Sequence, residues 1–149
     1  MVKLIRSDSK HPDFIGLVAL LDADLAERDG DETAFYAQFN GSTHLNHTVI
    51  CYQDAMAVGC GAFKTFTEDT VEIKRMYVHP TTRGKGFASL VLKELEQWAK
   101  MLGYTACVLE TGLRQPEAIA LYKKNGYQSI PNYPPYAGIA NSVCFKKRV

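Results

Sequence analysis

Val78-His79-Pro80-Thr81-Thr82-Arg83-Gly84-Lys85-Gly86-Phe87-Ala88 joins a strand to a helix through two glycines. The strand-like run is Val71 to Val78, and the amphipathic helix continues to about Leu102. A helix opening from such a turn leaves its first N–H groups without intrahelical acceptors, and the aligned peptide dipoles add about half a positive charge there. Gly84 and Gly86 lack a Cβ, so an anion can approach the main chain closely. The expected guest is a phosphate or pyrophosphate. The plainer reading of the same residues is a helix start that needs only flexible capping.

Other phosphate loops fit less well. No segment supplies the G-x-x-x-x-G-K-[ST] pattern of a Walker A loop, and Ser89 stands where the dinucleotide fingerprint G-x-G-x-x-G needs its last glycine. No earlier strand–glycine turn–helix unit occurs upstream, which also argues against a nucleotide-binding oxidoreductase. The pattern [RQ]-x-x-G-x-[GA] does fit, as Arg83-Gly84-Lys85-Gly86-Phe87-Ala88. It resembles motif A of the GCN5-related N-acetyltransferase (GNAT) family, the pyrophosphate cradle for acetyl-coenzyme A.

The rest of the chain bounds the reading. A chain of 149 residues is long enough for one domain, 1–149, with its own core. Its net charge of +1 gives no general attraction to nucleic acid or to a membrane surface. Cys51, Cys60, Cys107 and Cys144 are scattered singly in apolar runs, without metal-ligand spacing, and read as small buried hydrophobes; no metal is expected. Met1-Val2-Lys3-Leu4-Ile5-Arg6 lacks the apolar core of a signal peptide, so the expected location is cytoplasmic, with reduced thiols. Asn40-Gly41-Ser42 and Asn46-His47-Thr48 match the glycosylation pattern and are then coincidental.

Periodicity gives a strand at Val2 to Arg6, a helix from about Pro12 to Arg28, and a short helix from about Glu32 to Gln38 that Asn40-Gly41 ends. Three strands follow, His47 to Gln53, Met56 to Phe66 and Val71 to Val78, whose short polar connections predict an antiparallel meander. Strict alternation in the third would place Glu72, Lys74, Met76 and Val78 on one face, unless a bulge intervenes. The helix after the glycine turn carries a stripe of Val91, Leu95, Trp98 and Leu102, with Glu94, Glu96 and Lys100 largely elsewhere. A buried strand, Thr105 to Thr111, precedes a helix from Pro116 to Asn125. Strands at Tyr127 to Ile130 and Ser142 to Lys147 flank a proline- and tyrosine-rich loop, Pro131 to Gly138.

The order β-α-α-β-β-β-α-β-α-β-β is similar, element by element, to the acetyltransferase fold: α+β, with a mixed, mostly antiparallel sheet flanked by helices. A second local match strengthens the resemblance. Ala118-Ile119-Ala120-Leu121-Tyr122-Lys123-Lys124-Asn125-Gly126-Tyr127 is similar to the family signature [N]-x-x-A-x-x-x-Y-x-x-x-G-[FY], with Gln115 where the family often has Asn.

The resemblance implies an acetyl-CoA-dependent N-acetyltransferase that moves the acetyl group directly to a primary amine, without an acyl-enzyme. Main-chain N–H groups of Gly84, Lys85, Gly86, Phe87 and Ala88 would hold the pyrophosphate, with charge from Arg83 and Lys85; Lys85 reads equally as a solvated loop residue. Met76, Tyr77 and Val78 would pair with the pantetheine arm, and Gln115 would donate to it. A lysine-like amine has a pKa of about 10.4 and is inert while protonated, so a base is needed. Glu72 is at the family position for it, or else pairs with Lys74 or Arg75; Glu110 is the second carboxylate. Tyr122 matches the acid that protonates the departing thiolate. The acceptor reads as a small amine, with a peptide amine or a non-catalytic acyl-CoA-binding module as alternatives. The first helices and the Tyr133–Tyr136 loop would shape the acceptor site, and final strands pairing across subunits would make a homodimer.

Overall fold

The structure, a computed structural model, describes residues 1–39, 41 and 44–149. The predicted helix stop at Asn40 and the sequon through Ser42 lie outside the described residues. In chain order the elements are β1 (Val2–Ser7), α1 (Pro12–Asp29), a 3₁₀ turn (Gly30–Glu32), α2 (Thr33–Ala37), β2 (His47–Gln53), β3 (Met56–Thr67) and β4 (Thr70–Val78). After a second 3₁₀ turn (Pro80–Thr82) come α3 (Phe87–Met101), β5 (Ala106–Gly112), α4 (Pro116–Lys124), β6 (Gln128–Ile130) and β7 (Ser142–Arg148). The seven strands form one sheet in the order β1-β2-β3-β4-β5-β7-β6.

Local chemistry explains the boundaries. His11 caps α1, its Nδ1 accepting from the Asp13 N–H at 3.1 Å, and Pro12 opens the first turn where its missing donor costs nothing. Asp54 and Ala55 both have positive φ, the geometry a two-residue hairpin between β2 and β3 requires. β4 and β5 are joined through α3, so they alone among the sheet's neighbours run parallel.

Each sheet face carries a core. On one, Val71 and Ile73 of β4 meet Val91, Leu92 and Leu95 of α3; on the other, Tyr77 meets Phe14, Leu17 and Leu21 of α1. Fully burying one such aliphatic side chain contributes about 1.5–3 kcal/mol. Gly61 of β3 lies under α3, where an added Cβ would stand 2.5 Å from Met76 Sδ and 2.8 Å from Leu95 Cδ1. The four cysteines are free and buried.

Two expectations are corrected. β4 carries a bulge: Cys60 pairs with Tyr77 but Ala62 with Lys74, and Arg75 between them has φ +59°. The bulge resets the alternation, so Met76 and Val78 pack with Val71 and Ile73, and Arg75 and Tyr77 turn to α1. Secondly, Glu96 is buried, not on the polar side of α3. It accepts 2.9 Å hydrogen bonds from Tyr127 Oη and Lys147 Nζ, whereas Leu102 is half exposed.

Candidate active site

β4 and β5 pair over only three residues, Thr70 with Ala106, Val71 with Cys107 and Glu72 with Val108. Beyond Glu72 the strands part, although β4 runs to Val78 and β5 to Gly112. The bulge lies at this point, and its Arg75 guanidinium is buried against α1, donating to the Val18 carbonyl and to Asp22 Oδ1. The split exposes the β5-facing edge of β4 and opens the sheet to both faces.

Towards α3 and α4 lies a groove of about 360 Å³. Its walls include Met76, Tyr77 and Val78 from β4, Arg83, Gly84, Gly86, Phe87 and Ala88 from the turn, and Gln115 and Tyr122 from α4. Gly84 and Gly86 adopt φ +82° and +83°, where a side chain is strained, and their Cα hydrogens face open space. The first intrahelical bond of α3 runs from the Leu90 N–H to the Gly86 carbonyl, leaving the N–H groups of Phe87, Ala88 and Ser89 without intrahelical acceptors. A pyrophosphate therefore fits this turn, and an amide-bearing arm fits the free edge of β4.

The two basic residues of the turn are placed differently. Arg83 folds back, its Nε donating to the Val78 carbonyl at 3.0 Å and its guanidinium over the Tyr77 ring. Lys85 is exposed and outside the groove wall. Lys124 and Ser89, which the motif reading passed over, do line it. Asn125, the residue ending α4, donates from Nδ2 to Ser89 Oγ and so ties the two helices together.

Towards α1, α2 and the tyrosine loop lies a second, smaller cavity of about 100 Å³. It gathers Glu72 and Lys74 from β4, Glu110 from β5, Asp29 from the end of α1, and Tyr36 and Tyr136. Tyr136 places the proline- and tyrosine-rich loop against this cavity, and Tyr133 Oη donates to Glu72 Oε2 at 2.9 Å. The other Glu72 oxygen stands 3.9 Å from Lys64 Nζ. Its partners are thus Tyr133 and Lys64, not the expected Lys74 or Arg75. The Oε2 of Glu110 is buried with no hydrogen-bond partner. Burial pushes the Glu110 carboxyl up to about 7, against the lowering influence of Ser142 and Lys74.

Tyr122 is shared by the groove and the cavity. Burial, and then the negative Glu110, raise its phenol above the ordinary value, so it holds its proton at neutral pH. Asp29 and Lys74 escaped the sequence reading. The register places Lys74 across the split from Glu110, because Glu72 faces Val108. The histidines stand apart: His11 caps a helix and His47 stacks on Phe63. Among the described residues, no group of three or more His, Cys, Asp or Glu is arranged to hold a metal ion.

Residues 14–127 match the family model described as Acetyltransferase (GNAT) family. The chain belongs to this family. An IAA acetyltransferase from Azospirillum brasilense is 38% identical over 100 residues, covering 66% of this chain and 65% of that protein. The chain thus matches just under two thirds of that relative's length. A solved protein from Klebsiella pneumoniae, assigned as an acyl-CoA N-acyltransferase, superposes with a TM-score of 0.83 at 30% identity, over 99% of this chain and 97% of its own. The PaiA N-acetyltransferase of Thermoplasma acidophilum, solved with coenzyme A, shares the GNAT fold, with a TM-score of 0.72 at 14% identity over 100% of this chain and 99% of that one. The mixed seven-stranded sheet with its flanking helices is the fold that the resemblance implied. Among the described residues, no helix is long and apolar enough to cross a membrane.

Proposed function

We propose that this chain transfers the acetyl group of acetyl-CoA to the primary amine of a small molecule, directly and within a ternary complex. The observation that carries the reading is the split between β4 and β5, with an anion-ready turn at one end and, further in, a carboxylate with one unpartnered oxygen lining the same cavity as a protonated phenol. Acetyl-CoA supplies the acetyl group when bound. The N–H groups of the Gly84–Ala88 turn hold its pyrophosphate, with Arg83 swinging outward to add charge. Met76, Tyr77 and Val78 offer main-chain pairing to the pantetheine arm, and Gln115 offers a side-chain amide.

Glu110 is the better-placed base. It lines the small cavity, one oxygen has no partner, and a carboxyl near 7 accepts a proton more readily than an ordinary glutamate. Glu72 already accepts from Tyr133 and neighbours Lys64; its role is to fix the loop and add negative charge. Tyr122 gives its proton, or a hydrogen bond, to the departing sulfur, whose thiol has a pKa of about 8.5. A non-catalytic acyl-CoA-binding module would have no use for a carboxylate with a free buried oxygen in the same cavity as a phenol, and a cavity of about 100 Å³ favours a compact amine over a folded peptide segment.

Titration calorimetry with acetyl-CoA, followed by thiol release across a panel of amines, tests this. Binding with turnover of at least one amine is expected. Binding without any turnover would leave a sensor, and no binding at all would remove the reading.

A further inference from the structure

We infer that the acceptor is a small zwitterion, an amine that also carries a carboxylate, held between Lys74 and Glu110. This rests on the reading of the small cavity as the acceptor site. The cavity wall holds two charges of opposite sign that make no ion pair with each other. Lys74 Nζ donates one hydrogen bond, at 2.9 Å to the Phe39 carbonyl, and joins none of the ion pairs among the described residues. An ammonium has three donors, so two remain. Glu110 keeps one buried oxygen without a partner.

Register explains why both sit there. Glu72 and Val108 are paired across the parallel strands, so residues two further along, Lys74 and Glu110, lie on the same face where the strands have parted. A half-buried ammonium and a buried carboxylate oxygen that stay apart are each costly without a partner. One small molecule with an amine at Glu110 and a carboxylate at Lys74 satisfies both. That orientation also puts the reacting nitrogen beside the base and near Tyr122, which the cavity shares with the groove.

The neighbouring charges fit this choice. Asp29 and Glu72 add negative charge around the amine. Arg75 is turned to α1 and paired with Asp22 through Nη2, only its buried Nε lacking a partner, so the Lys74 ammonium is the cation with two donors to offer the carboxylate. A polyamine would place a second cation against Lys74. A cavity of about 100 Å³, against about 360 Å³ for the groove, suits a compact amino acid.

Matched pairs test the inference: a compact α- or β-amino acid against the amine lacking its carboxylate, such as β-alanine with ethylamine or 2-aminobutyrate with propylamine. Wild type should favour at least one zwitterion in kcat/KM by about 10-fold or more, the size of one charged hydrogen bond. Lys74→Met should collapse that ratio towards one by raising KM for the amino acid, and Lys74→Arg should keep part of it. Equal or better use of the amines by wild type, or a ratio that survives Lys74→Met, would overturn the proposal. Calorimetry of the same pairs on the wild-type coenzyme A complex covers a variant that fails to fold. Absence of zwitterion binding there defeats the inference alone, since coenzyme A binding separately supports the transferase reading.

Discussion

Replacing Glu110 by Gln keeps the side chain's shape and removes its charge, so it separates base chemistry from packing. Glu110→Gln should lower kcat by about 10²–10⁴-fold, the usual contribution of a positioned base, whereas Glu72→Gln should cost roughly 10-fold or less. In wild type, turnover should rise with pH and level off above about 7, as Glu110 loses its proton, and the variant's profile should lack that limb. The same group has a stability signature of opposite sense. Its folded carboxyl is raised from 4.5 to about 7, so the folded chain binds the extra proton between those values and stability falls as pH climbs through that window. Thermal melts should therefore show Glu110→Gln gaining a few degrees over wild type at pH 8 and little at pH 4.5. Tyr122→Phe, which leaves the aromatic packing against Tyr127 and Phe145 in place, should lower kcat with little change in KM for acetyl-CoA. An unaltered kcat at neutral pH would remove the phenol from the mechanism.

At the scale of elements, the glycine turn and the bulge do different kinds of work. The turn needs left-handed backbone at Gly84 and Gly86, so Gly86→Ala should raise KM for acetyl-CoA and cost about 1 kcal/mol of stability, measurable by denaturant unfolding. Gly61→Val would drive side-chain atoms into Met76 and Leu95 and should cost about 1–3 kcal/mol while disturbing the strand edge at Met76. The turn was readable because glycines at fixed spacing advertise a backbone requirement. The bulge was not, since Arg75 is an ordinary residue by type, and its positive φ is set by Asp22 and Val18, more than fifty residues away in sequence. The place of Tyr122 in the groove wall was legible from its motif, whereas the proposed preference for Glu110 over Glu72 was not. That choice depends on which carboxylate the Tyr133 hydroxyl reaches, a long-range contact no local pattern encodes. Glu96 misled for the same reason: its partners, Tyr127 and Lys147, come from the far end of the chain.

Across the whole molecule, the last strand closes the structure through that buried carboxylate. Glu96→Ala would strand the Tyr127 hydroxyl and the Lys147 ammonium, and a loss of about 3–5 kcal/mol is expected in chemical unfolding. The thiols offer a second global readout. Cys60 and Cys107 are pushed up to about 12 by burial and have little thiolate, so a thiol reagent should label them only as the chain unfolds. The groove and the small cavity share Leu21, Met76, Gln115, Ala118 and Tyr122, so they adjoin at these residues. On the proposed reading, donor and acceptor would arrive from opposite sides and touch only there. A chemist who welded the two halves into one inhibitor would have to thread a slim linker past those residues, and any bulk beside the sulfur would collide with Tyr122 before either end was seated.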